Sequence, residues 1–163
     1  MTIRDPHGPA PEGVSVLVAG VIGTVCFAAF AILGLGMLSY FTDTDIISVQ
    51  EMPLWPGVIG MAAAIACFAL MLRPVVARQH PIFSPIVLVA IVTVVAHLAA
   101  VWLSAIVGGA GFAHAMAAVS QLVVRGASPV LLVAALIAAW ISVALRRTRG
   151  GTPKWPWERE DLE

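Results

Sequence analysis

Between Val14 and Phe41 the chain carries no charged side chain, and three further apolar runs follow at residues 54–72, 82–107 and 129–145. These runs constrain the fold most, because about 20 consecutive apolar residues form a helix that crosses roughly 30 Å of hydrocarbon. Of the 163 residues 60 % are hydrophobic and 11 % charged, and the mean hydropathy is +0.97. A soluble domain has about 45–50 % apolar and about 25 % charged residues, so lipid must be the solvent for much of this chain. The expected fold is all-α, an integral membrane four-helix bundle. The third run is rich in β-branched residues (Ile86, Val87, Val89, Ile91, Val92, Val94, Val95) that would favour a strand in water. In lipid a lone strand leaves its backbone groups unpaired whereas a helix satisfies them internally, so helix is expected here too.

The first run is long. About 27 helical residues reach ~40 Å, so this helix must tilt or protrude, and Gly34 and Gly36 near its far end allow a bend or a close neighbour. A cleaved signal peptide has an apolar core of only ~7–15 residues, so the run reads as an anchor. Cys26 falls in the middle of it and Cys67 in the middle of the second run, where thiols behave as small apolar groups; neither has the Cys or His spacing of a zinc site. Trp55 sits at the entrance of the second run, as interfacial tryptophans do, and Arg73-Pro74 is expected to end it. Gly108, Gly109 and Gly111 break the third. The fourth should begin near Ser128, a candidate cap, with Pro129 in its first turn.

The basic residues set an orientation. Arg4, Arg73, Arg78, Arg146, Arg147, Arg149, Lys154 and Arg159 fall on one side of the four runs, and only Arg125 on the other. An eight-to-one bias over short connections is a positive-inside signal and requires an even number of spans. The expected organisation is a flexible cytoplasmic lead at 1–13, a transmembrane domain at 14–145 and a cytoplasmic tail at 146–163, in the cell (plasma) membrane with both termini inside.

Between the third and fourth spans, residues 112–125 show helical spacing. Phe112, Met116, Val119 and Val123 share one face, and His114, Ala118, Gln121 and Arg125 the opposite one. An additional amphipathic helix at the outer surface is expected, in preference to an extension of the fourth span kinked between Gly126 and Pro129.

Candidate functional residues are few. His97 is the one ionisable residue deep inside a span; such groups face the bundle interior, a cavity or a partner. Thr93 lies four residues before it and Ser104 seven after, so the three make a short polar stripe. The structural reading, a histidine bridging two helices, is preferred to a proton-handling, ligand or haem role. Haem would need His114 as a second ligand from a different element. His114, Gln121 and Arg125 form a second candidate group on the surface helix. Trp155-Pro156-Trp157 form a third, either a rigid docking element or an anchor pinning the tail to the membrane.

No cofactor or metal is expected, nor is nucleic acid, since basic stripes are missing. No span contains an acid, which removes the usual carboxylate relay of an active transporter, and no clustered His, Asp, Glu or Ser points to an enzyme. Small residues recur in every span, among them Gly23, Gly60, Ala96 and Ala138, and let helices approach closely. The expected partners are the lipid bilayer and either another membrane protein or a second copy. An accessory or structural subunit of a membrane assembly is expected, with a small homo-oligomeric transporter or channel component as the alternative.

Overall fold

The computed structural model describes residues 14–42, 55–78 and 83–147. They form five helices: α1 (Val16–Thr42), α2 (Trp55–Val76), α3 (Pro85–Val107), α4 (Gly111–Val124) and α5 (Ala127–Arg147). Helices α1, α2, α3 and α5 are each long and apolar enough to cross a membrane, and α4 is a shorter apolar helix between the third and fourth of them. No strand occurs among the described residues. The chain is therefore an all-helical, multi-pass bundle with one extra helix, as its apolar runs predict. The tail carrying Trp155, Pro156 and Trp157 lies outside the described residues.

Around the bundle the order is α1, α2, α3, α5. Neighbours pack along their lengths, α2 touches α5 weakly across the centre, and α1 and α3 do not meet. Each helix buries one stripe in which small residues accompany a few large ones. On α1 the buried stripe is Ala19, Gly23, Phe27 and Ala31; on α2 it is Pro56, Gly60, Ala64, Phe68 and Leu72. Phe27 and Phe68, the large members facing each other, stack with ring centroids 4.6 Å apart. On α5 Ala134, Ala135, Ala138 and Ala139 are all buried, so backbones approach closely there. On α3 the core face is Ala90, Thr93, His97 and Val101, while Ala96 is half-buried and Ala99 exposed.

Gly23 shows why small size is needed. A Cβ there would collide with the Ser142 side chain and come within 3.0 Å of Leu72 Cδ2. One residue thus sets the spacing of α1 against both α5 and α2.

Helix ends depart from the sequence expectation in three places. Arg73-Pro74 does not stop α2, which continues to Val76. Pro74 lacks one backbone donor, but Val75 and Val76 are buried in the core and Ala77 N–H still donates to Arg73 O at 3.0 Å, so packing carries the last turn. Ser128 is not a cap. It lies inside α5, and its Oγ donates to Leu122 O at 3.2 Å. Helix α5 begins at Ala127, two residues before the expected start at Pro129, which still falls in its first turn; the break is at Gly126, whose φ of 90° favours glycine.

Helix α3 ends as the glycines predict. Gly109, at φ 84°, closes a Schellman turn in which Ala110 N–H donates to Ala105 O at 3.1 Å and Gly109 N–H to Ile106 O at 3.0 Å. Helix α4 then packs on α3 and α5. The separate helix matches expectation, but its faces do not. Ala115, Ala118 and Leu122 are buried, while Phe112 is 66 % exposed and Met116 and Val123 are also exposed. In lipid a large apolar side chain is at ease outside, so Phe112, Met116 and Val123 need not face the core.

The bundle has two unlike ends. One carries Arg73, Arg78, Arg146 and Arg147 and is called the basic end below; the other carries the turns at Gly109 and Gly126.

Candidate functional site

Thr93, His97 and Ser104 are all on the buried face of α3. His97 is 4 % exposed and stands ten residues before the last residue of α3, about 15 Å along its axis, near mid-helix. Gly60 of α2 makes the space for it. A Cβ at Gly60 would meet the Val101 side chain and approach His97 Cε1 and Nδ1 to 3.1 Å. The imidazole therefore lies flat against the α2 backbone, at the point where a glycine allows close approach.

The stripe is real, but its members are satisfied unequally. Thr93 Oγ1 donates to Val89 O at 2.8 Å and Ser104 Oγ donates to Val101 O at 3.0 Å, both within α3. These bonds turn the two hydroxyl protons toward their own helix. His97 Nδ1, by contrast, is fully buried and has no hydrogen-bond partner, and the same holds for Trp102 Nε1 further along α3. The polar group beside His97 Nδ1 is the Gly60 backbone, whose contact falls short of an aligned hydrogen bond.

The second group is not joined to the first. His114 is exposed on α4, and Gln121 and Arg125 are half-buried. An interior His97 and an exposed His114 do not share a core, so they do not form the paired axial ligands that a bundle haem requires. Among the described residues no three His, Cys, Asp or Glu side chains are grouped to hold a metal ion.

The basic end holds a third constellation that sequence reasoning missed. Arg146 Nε donates to Val76 O at 2.9 Å and Arg146 Nη1 to Val14 O at 2.7 Å. One guanidinium thereby fastens α5 to the C-terminal carbonyl of α2 and to the residue leading into α1. The adjacent Arg147 places its guanidinium carbon 4.9 Å from the centroid of the Phe83 ring, and Phe83 in turn stacks on Trp140 at 6.5 Å. A basic pair at a helix end is legible in sequence. That one member faces in and the other out is not.

A family model described as a family of unknown function, DUF6121, matches residues 14–163. No curated protein and no solved structure matches the chain.

Proposed function

The chain belongs to the DUF6121 family, and from its own residues we propose that it is an accessory or structural subunit of a membrane assembly rather than a carrier of chemistry. The observation that supports this is the closed polar stripe. Thr93 and Ser104 donate within their own helix, and His97 is packed under Gly60 and Val101, so the three do not converge on a channel. Four helices with alanine-rich contacts give a solid core. What the chain offers its surroundings is apolar helix surface, and its Trp155-Pro156-Trp157 tail suits a partner.

The eight-to-one placement of basic residues supports a further part of the reading, that both termini are cytoplasmic; the host membrane we propose is the plasma membrane. In this setting the chain is not an enzyme.

A second reading, a small homo-oligomeric transporter or channel component, is favoured by the unpartnered His97 Nδ1. It requires the bundle to open, because the ring is 4 % exposed.

Gentle-detergent extraction followed by native mass measurement separates the two. The expected result is a stoichiometric complex with a foreign membrane protein, and no solute flux when the chain alone is placed in liposomes. A pure homo-oligomer that carries flux would sink the accessory reading.

A further inference from the structure

We infer that the groove between α3 and α5 at the basic end seats one anionic phospholipid, with an acyl chain along the groove and the phosphate on Arg147. The groove is lined by Phe83, Ile86, Val87, Leu136, Ile137 and Trp140 and offers about 530 Å³ of space open to the outside of the bundle. No lining side chain is charged, so the walls suit hydrocarbon. The mouth is different. Arg147 is exposed there and held over Phe83 at 4.9 Å.

Contact through the guanidinium face leaves the N–H donors at its edge free to take a phosphate in the bidentate manner arginine favours. Arg146 is committed to the bundle instead, with Nε on Val76 O and Nη1 on Val14 O. Two neighbouring charges are thus divided, one fixing the bundle and one facing outward.

The dimensions agree. Ile137 lies ten residues before Arg147, about 15 Å along α5, which is half of the roughly 30 Å hydrocarbon core. A lipid whose phosphate meets Arg147 would therefore end its chain near Leu136 and Ile137, where the groove ends. Along α5 the outward residues Ile137, Trp140, Ala144 and Arg147 follow one stripe, so headgroup and chain contacts are aligned. Phe83, stacked on Trp140, walls the groove at the level just below the headgroup, where aromatic rings sit. Anionic lipid is the occupant because the groove mouth is cationic and no acid lines it.

The proposal does not depend on the accessory role. Native mass spectrometry of the full chain, purified in mild detergent and offered equal amounts of phosphatidylglycerol and phosphatidylcholine, tests it. One phosphatidylglycerol should remain bound per chain in preference to phosphatidylcholine. Arg147→Gln should lower its occupancy about fivefold to tenfold, Arg147→Lys less, and Trp140→Ala should weaken binding of both lipids. Arg78→Gln, which removes a charge at the same end outside the groove, should change little. Equal retention of the two lipids would overturn the seat. So would an Arg78→Gln loss as large as that of Arg147→Gln, since that pattern means diffuse attraction to a basic surface.

Discussion

A single glycine decides whether the buried histidine can exist. His97 fits because Gly60 lacks a side chain, and the two meet where α2 packs on α3. Gly60→Leu should therefore destabilise the bundle by about 1–3 kcal/mol or more through overpacking, read as lowered thermal stability of the detergent-solubilised protein. Gly20, on α1 and with open space where a side chain would go, is the contrast: Gly20→Leu should leave the midpoint unchanged. For His97 itself, the packing reading predicts that His97→Asn is tolerated and that His97→Phe, too bulky for the space under Gly60, lowers the amount of protein in the membrane. Normal amounts of a His97→Phe protein in an assembly that has lost activity would instead favour the second reading. The position of His97 was legible in the sequence, because an ionisable residue inside an apolar run stands out. The glycine opposite it was not, since sequence alone does not show which glycine faces which helix.

At the scale of the elements, length was legible and facing was not. A helix that is apolar all round, as α1 is, has no polar face to mark its outside, so hydropathy does not show which stripe is buried. Packing decides: Ala19, Gly23, Phe27 and Ala31 go inward along one stripe, while Leu17, Val25, Ala29 and Leu33 face out. The same rule explains α4, where Phe112 and Met116 look like a core face by the logic of water and are exposed here. The end of α2 was misjudged for a related reason. Proline and arginine are local stop signals, but burial of Val75 and Val76 outweighs them. Arg146 adds to that extra turn by capping Val76 O, so its loss should be felt at three helix ends at once. Charge-assisted hydrogen bonds are worth about 1.5–3 kcal/mol each. Arg146→Gln should speed amide exchange in the first turn of α1 and the last turns of α2 and α5, measured by hydrogen–deuterium exchange, with the glycine-end turns unaffected. Uniform acceleration across all five helices would mean that the clamp is not local.

For the whole molecule, the bundle, the closed polar stripe and the lipid groove all presuppose four crossings. An even number places the start of α1 and the end of α5 at the same face, as Arg146 requires when it reaches both Val14 and Val76. Odd numbers would part these groups by the full thickness of the bilayer. The short α4 is the element on which this could fail, because a fifth crossing there would reverse α5. Its 14 residues span only about 21 Å, short of the roughly 30 Å hydrocarbon core. Reporter fusions placed after Gln50, Arg78, Arg125 and Lys154 measure this directly. The four-crossing bundle predicts the readings outside, inside, outside and inside, and a fusion after Arg125 that reads inside would contradict it.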